Sequence, residues 1–171
     1  DTCEEIWLKQ GVYKGSYDWY RGDIYGGFVG TETVREDRNP DPETNATVIS
    51  GESSLVPGEF VNHVLEVTAA IHVMTIDGVT IRDGKADTTY TSEEEDKSGG
   101  GLLCLGSCKL NINNVRFVNN YAEFYGGAVA IMEPSNVTIS NTEFLNNEAD
   151  KDGGAVYIQK HTFYSSTAQL I

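Results

Sequence analysis

The amino-acid sequence predicts an all-β fold of stacked repeats, a parallel β-helix (solenoid) with about 27 residues per coil and roughly five to six coils. Three observations predict it. Short segments alternate apolar and polar residues, the clearest of these segments recur 27 residues apart, and glycine or asparagine separates them. The length of 171 residues is about six such spacings, so the size corresponds to a number of coils.

The clearest repeat lies in the second half of the chain. Segments 110–120 and 137–147 align without a gap, and Ile112 and Ile139 then share one position of the repeat. Segment 74–84 fits the same pattern 36 residues earlier, so one coil is expected to carry an insertion. Alternate residues in each segment are apolar, as in a strand with one buried face. No segment shows the 3.6-residue period of a helix.

Glycines mark a second feature of the repeat. The pair Gly126-Gly127 lies 27 residues before Gly153-Gly154, and both precede an Ala-Val-x-Ile strand. The pair Gly100-Gly101 lies 26 residues before Gly126-Gly127 and is expected at the same corner. Upstream, Ile49 lies 27 residues before Ile76, which predicts that these two residues stack as well. A unit of three short strands cannot bury its own apolar face, so it must stack on its neighbours.

Asparagines are expected to form ladders at the turns between strands. Asparagine adopts left-handed turn geometry readily, and stacked asparagine amides hydrogen-bond along the axis of a solenoid. Ordinary hairpin turns of a β-sandwich are the alternative interpretation of the same residues. The predicted ladder residues are Asn114 with Asn141, and Asn119 and Asn120 with Asn146 and Asn147.

The repeat pattern predicts a single domain over residues 1–171. Residues 1–51 are expected to form the first coils with long loops. Residues 52–158 are expected to form regular coils with an insertion at 87–98, and residues 159–171 form a β-prone tail.

Two sets of residues resemble known families. The Phe-x-Asn-Asn and Gly-Gly-Ala-Val-x-Ile units resemble the repeats of polymorphic outer membrane proteins and of other bacterial surface proteins. The motif Tyr-Gly-Gly-Phe-x-Gly-Thr-Glu-Thr at residues 25–33 is similar to the start of many secreted β-helix proteins. The resemblance to the pectate-lyase-like superfamily implies a right-handed β-helix and a secreted or surface location. It implies no particular activity.

Charge excludes several classes of partner. Acidic residues outnumber basic ones 26 to 12, for a formal net charge of −14. Nucleic acids and anionic membrane surfaces bind clusters of Lys and Arg, so no nucleic-acid partner is expected. No run of apolar residues approaches the length of a membrane-spanning helix, so no membrane insertion is expected. The same charge would repel acidic polysaccharides.

No catalytic or metal site is expected from the sequence. Asp77 and Asp83 occur in turns, and the next coil has asparagine at both equivalent positions, so no column of carboxylates forms. The histidines His63, His72 and His161 are scattered, without cysteine or carboxylate at ligand spacing. The acidic run 93–96 is expected to be a solvated loop, with weak Ca²⁺ binding as the alternative. The prediction is therefore a non-enzymatic chain without cofactors, with a polysaccharide lyase or hydrolase as a distant alternative.

The cysteines and two glycosylation sequons indicate an extracellular or cell-surface glycoprotein. Alternation places Leu103 and Leu105 inside, so Cys104 is expected to point outward and to form a disulfide with Cys108 across a tight turn. Cys3 is then unpaired or joined to another chain. The Asn-x-Thr sequons are predicted to present Asn45 in a polar loop and Asn136 on an outward strand position, with both accessible to N-linked glycans.

The ends of such a solenoid predict its partners. Unpaired strand edges are templates for association unless they are covered, and no capping helix is visible in the sequence. The leading hypothesis is a structural protein that self-associates head to tail into a fibre, through its open ends or a donated terminal strand. The alternative is an adhesin or carbohydrate-binding module that uses a cluster of aromatic residues. These are Tyr13, Tyr17, Trp19, Tyr20 and Tyr25.

Overall fold

The protein is almost entirely β-structure. The computed structural model describes residues 4–68, 72–90, 93–159 and 167–170, with the backbone alone at 134–135 and 167–170. Within these residues, helical structure is confined to two 3₁₀ turns at Arg35–Asp37 and Glu95–Lys97. The strands are β1 Glu5–Lys9, β2 Gly11–Lys14, β3 Tyr17–Asp18, β4 Asp23–Phe28, β5 Thr47–Ser50, β6 Leu65–Val67, β7 Met74–Arg82, β8 Lys85–Ala86, β9 Leu102–Val118, β10 Tyr121–Ala122, β11 Val129–Ser140, β12 Glu143–Leu145, β13 Glu148–Ala149, β14 Val156–Ile158 and β15 Thr167–Leu170.

The strands form one large curled sheet and one small sheet. Twelve strands belong to the large sheet, whose main path runs β1-β4-β7-β9-β11-β14. The small sheet has the order β13-β10-β8. Every pair of these strands is parallel. Parallel neighbours cannot be joined by hairpin turns, so the β-sandwich alternative is wrong.

The 27-residue spacing governs the pairing in the second half of the chain. Strand β9 pairs with β11, and β11 with β14, with Leu102 opposite Val129 and Val129 opposite Val156. Hydrogen bonds between side chains of successive units also span 27 residues. The step from β7 to β9 is 36 residues, as segment 74–84 predicted, because the insertion at 87–98 lies between them.

The spacing does not hold in the first half. Ile49 pairs with Ile81, and Ile76 pairs with Ile24, so the predicted stacking of Ile49 on Ile76 is wrong. The tail is also offset, since β15 pairs with residues 136–139 at a step of 31 residues. Loops of different lengths join the strands here, so the distance along the chain does not fix the partner.

Three columns of inward side chains run through the large sheet and form most of the core. The isoleucine column contains Ile6, Ile24, Ile76, Ile112 and Ile139, and position 170 of β15 extends it. The phenylalanine column contains Tyr13, Ile49, Ile81, Phe117 and Phe144. The valine column contains Tyr17, Leu65, Leu102, Val129 and Val156.

The interior members of these columns carry much of the stability. Ile76, Ile81 and Ile112 are completely buried, and each such side chain contributes roughly 1.5–3 kcal/mol relative to exposure. The rings of Phe117 and Phe144 stack with centroids 5.3 Å apart and planes 5° from parallel. This ladder fixes the register of β12 on β9, because a one-residue slip would move every side chain to the opposite face.

The orientation predicted for Cys104 is wrong. Cys104 is fully buried in the main core, whereas Leu103 packs in a separate cluster on the other face of the sheet. The cause is the run of three glycines at 99–101. Gly99, not Gly100, is the equivalent of Gly126, since both adopt left-handed φ values of 68° and 59°. An alignment of Gly100 with Gly126 is therefore one residue out of register, and such a shift exchanges the two faces of the strand.

Candidate functional site

An apolar cavity of about 400 Å³ opens at the first strands of the protein. Its walls come from β1, β2 and β3 and from the inward residues of the strands stacked on them. Four of the five aromatic residues singled out in the sequence line it, namely Tyr13, Tyr17, Trp19 and Tyr20. The floor is formed by Ile24, Ile49 and Leu65, the second members of the three core columns.

The polar groups of three of these aromatic residues are engaged in hydrogen bonds. The Tyr13 hydroxyl donates to the Lys9 carbonyl at 2.9 Å, and the Tyr17 hydroxyl donates to the Lys14 carbonyl at 3.2 Å. The Trp19 indole N–H donates to the Gly22 carbonyl at 2.8 Å. These three rings therefore present mainly apolar surface to the cavity, which Asp18 and Arg21 also line.

The strands around the cavity are edge strands. Among the described strands, β2 pairs only with β5 and β3 only with β6. The opposite end of the stack has the same property, since β12 pairs only with β9 and β14 only with β11. Each edge offers backbone N–H and C=O groups that a further parallel strand could use.

Tyr25, the fifth aromatic residue, lies outside the cavity. It is 8% exposed, and the guanidinium carbons of Arg35 and Arg38 lie 4.7 and 5.2 Å from the centroid of its ring. Burial, together with the nearby Asp23 carboxylate, raises the pKa of Tyr25. Its role is therefore to fasten the loop between β4 and β5 rather than to bind a ligand.

The loop between β4 and β5 is a strap that the sequence did not reveal. Arg38 forms an ion pair with Asp77 at 2.9 Å, with both side chains almost buried, and donates to the Gly26 carbonyl at 3.0 Å. Glu43 of the same loop pairs with Arg116 at 2.8 Å. Arg38 does not recur at the 27-residue spacing, because this loop occurs once in the chain. The repeat pattern therefore gives no sign of the strap.

Glu32 explains the Gly-Thr-Glu segment of the motif at residues 25–33. Its carboxylate accepts hydrogen bonds from the backbone N–H groups of Val29, Gly30 and Thr31, at 2.7 to 2.9 Å. These bonds, the one from Val29 above all, lower the pKa of Glu32. The carboxylate closes the turn that follows β4, which is a structural function.

One asparagine ladder is built from Asn120 and Asn147. The Asn120 amide donates to the Asn147 side-chain oxygen at 3.0 Å and to the Ile81 carbonyl at 3.2 Å. Its oxygen accepts from the Gly84 backbone N–H at 3.0 Å. The preceding residues Asn119 and Asn146 adopt left-handed φ values of 55° and 53°, as a tight turn requires.

The second predicted column is a staggered network. The Asn114 amide donates to Asp77 at 3.2 Å, and the Asn141 amide donates to the Asn113 oxygen at 2.9 Å. Asn114 and Asn141 therefore each donate to the preceding unit rather than to one another. Asn113 also donates to Asp77 at 2.8 Å, so this carboxylate has a structural role.

The acidic and histidine residues of the described chain occupy separate environments. Within the described part of the chain, no group of three or more His, Cys, Asp or Glu side chains could hold a metal ion. His63 is buried, with its Nδ1 3.2 Å from the Gly99 carbonyl, and burial lowers its pKa. His161 lies outside the described residues.

Burial and a hydrogen bond to Asp150 raise the pKa of Tyr121 to about 12.

The cysteines and sequons occupy contrasting environments. A disulfide joins Cys104 and Cys108, whose Cα atoms are 6.3 Å apart, while Cys3 lies outside the described residues. Asn136 is exposed on β11. Asn45 is half-buried rather than freely accessible, and its amide donates to the Gly27 carbonyl at 3.1 Å.

Comparison with known families gives one match. Residues 141–159 match the Chlamydia polymorphic membrane protein (Chlamydia_PMP) repeat. This segment contains Phe144-Leu-Asn-Asn147 and Gly153-Gly154, so the match fits the resemblance drawn from those residues. It suggests a surface or outer-membrane-associated protein. Comparisons with curated proteins and with solved structures find no significant match. None of the described helical turns has the length and apolar character needed to span a membrane.

Proposed function

We propose that this chain is a non-enzymatic structural protein of the cell surface or extracellular space that self-associates end to end. In this proposal the curled sheet is a right-handed parallel β-helix of about five coils, and its two open ends stack on each other in successive copies. The single observation that carries the proposal is the apolar cavity framed by edge strands at the first coil.

The β-helix architecture has two supports. All strand pairs are parallel, and parallel strands in one sheet are joined by right-handed crossovers in nearly all proteins. Each of the three core columns contains one residue from each successive unit, as expected when the chain returns to the same side once per coil. A regular 27-residue coil describes only the last units, since the earlier coils carry loops.

The chemistry of the cavity favours a protein surface as its occupant. The polar groups of Tyr13, Tyr17 and Trp19 donate to backbone carbonyls, so these side chains offer mainly apolar contacts. The side chains of Tyr17 and Tyr20 are large and partly apolar, yet they remain 41% and 63% exposed. Burial of such a surface against another coil gains about 25 cal/mol for each Å² removed from water.

The surface location rests on three features that agree. The repeat match suggests a surface or outer-membrane-associated protein. The Cys104–Cys108 disulfide is typical of oxidising compartments. Exposed Asn136 within an Asn-Val-Thr sequon would carry an N-linked glycan where the host glycosylates, whereas half-buried Asn45 is the poorer acceptor.

Light scattering on the 171-residue chain tests the proposal. We expect the mean mass to rise with protein concentration, and more steeply at higher salt, because the net charge of −14 makes the copies repel. The variant Tyr17→Glu places a charge at the edge of the cavity and should keep the chain monomeric. Leu55→Glu is the matched control, since Leu55 is 88% exposed in the loop between β5 and β6 and does not line the cavity. A wild-type chain that stays monomeric at every concentration and salt would refute self-association.

Carbohydrate binding is the second candidate function. It is favoured by the convergence of Tyr13, Tyr17, Trp19 and Tyr20 on one cavity, because aromatic faces stack on sugars. Trp19 is only 3% exposed, so it can contribute little stacking surface without rearrangement. Glycan-array binding that Tyr20→Ala abolishes would support this function, and an array without signal would exclude it for the glycans present.

A further inference from the structure

The three core columns do not contain equal numbers of positions. The phenylalanine and valine columns each have five, from Tyr13 to Phe144 and from Tyr17 to Val156. The isoleucine column has six, because β15 adds position 170 beside Ile139. Among the described strands of the last unit, β12 and β14 therefore have no partner on their outer edge, next to one edge that β15 covers.

The difference in the number of positions between the columns limits how a second copy can dock. The first unit of the incoming copy presents β1, β2 and β3 in one layer. If its β2 pairs with β12 and its β3 pairs with β14, its β1 arrives at the part of β11 that already pairs with β15. Two strands cannot use the same edge of β11, so β1 of one copy and β15 of the other compete for it.

The cavity wall indicates which of the two competing strands is released. Strand β1 pairs with β4 over four residues, and the Trp7 ring stacks on Phe28 with centroids 4.8 Å apart. Glu5 in the same strand forms an ion pair with Arg35. Strand β15 pairs with β11 over the four residues 167–170, at the outermost position of its column. Release of β15 frees the edge of β11 that the incoming copy needs. Release of β1 would instead remove Ile6 and Leu8 from the cavity wall, and with them part of the surface that docks.

From these contacts we infer that the docking surface for a second copy is the edge of β11, β12 and β14, and that β15 is an autoinhibitory strand that covers part of it. This inference rests on the proposed self-association. In the docked register, Ile6 of one copy lies beside Ile139 of the next, Tyr13 beside Phe144 and Tyr17 beside Val156. The aromatic cavity of the first unit is then closed by the apolar residues of the last unit.

Proline substitutions in β15 test the inference in the 171-residue chain. Proline removes a backbone N–H and disfavours a paired strand, so Ala168→Pro and Gln169→Pro should each release β15, whichever of the two residues donates to β11. If β15 occupies the edge nine-tenths of the time, its release raises the apparent association constant about tenfold. Ala168→Val keeps the strand and is the matched control. Tryptophan fluorescence in urea, from Trp7 and Trp19 together, checks that each variant is folded.

The outcomes separate this inference from the proposed function. Stronger association of both proline variants, with Ala168→Val unchanged, supports autoinhibition by β15. Association of the wild type that neither proline variant strengthens overturns autoinhibition and leaves self-association standing. Monomeric behaviour of all variants overturns both. Hydrogen exchange of residues 167–170 in the wild type is a second measurement: it should become faster as association proceeds, and protection that is unchanged or increased would also overturn the inference.

Discussion

Removal of the buried Asn120 amide tests whether its hydrogen bonds hold the stacked units together. Asn120 is 1% exposed and makes three hydrogen bonds through its side chain, to the Gly84 N–H, the Ile81 carbonyl and the Asn147 oxygen. Asn120→Ala removes all three and leaves buried backbone groups of an earlier unit without a partner. Since each lost bond costs about 1 kcal/mol, the free energy of unfolding should fall by about 3 kcal/mol.

Urea unfolding followed by circular dichroism measures this loss. With a urea dependence of about 2 kcal/mol per M, the midpoint should shift down by about 1.5 M. Asn111→Ala is the matched control, because Asn111 is an exposed asparagine on the same strand β9 and its loss should cost less than about 0.5 kcal/mol. Equal midpoints for Asn120→Ala and Asn111→Ala would show that the ladder does not hold adjacent units together.

Three further predictions concern groups away from the ladder. Burial lowers the pKa of His63 in the folded protein below the ordinary value of about 6.5. The urea midpoint should therefore be constant above that ordinary pKa and decrease as the pH falls below it, and His63→Gln should flatten that part of the pH profile. Arg38→Met should lower the free energy of unfolding, measured in urea, by about 3–5 kcal/mol, because it leaves Asp77 buried without its ion-pair partner. The double variant Arg38→Met with Asp77→Asn should recover part of that loss. Cys104→Ala with Cys108→Ala should lower stability by about 2 kcal/mol, as expected for a short disulfide loop, and a midpoint that does not respond to reductant would contradict a structural role.

Repetition is the part of the fold that the sequence predicts well. Segments 110–120 and 137–147 are nearly identical in pattern, and they stack in the predicted register because both carry the same strands and turns. The asparagines at left-handed turns follow from the same alignment. Where a loop has a length of its own, as between β4 and β5, the spacing no longer identifies the partner strand.

Two features of the site could not be predicted, for different physical reasons. The run Gly99-Gly100-Gly101 allows two alignments one residue apart, and only packing decides that Cys104 rather than Leu103 faces the core. The strap held by Arg38 depends on a partner, Asp77, that lies in another unit and appears once. The aromatic cluster was visible in the sequence, but the convergence of four members on one cavity and the separation of Tyr25 depend on the stacking of the first units.

Cross-linking between two single-cysteine chains tests end-to-end stacking in the inferred register most directly. Positions 14 and 145 end the same outward row, which runs from Lys14 through Ser50, Arg82 and Val118 to Leu145. In a background that carries Cys3→Ser, a chain with Lys14→Cys mixed with a chain with Leu145→Cys should give a dimer with a short bifunctional maleimide, and Ala168→Pro should increase its yield. A yield no higher than that of Leu55→Cys mixed with Leu145→Cys would contradict the account.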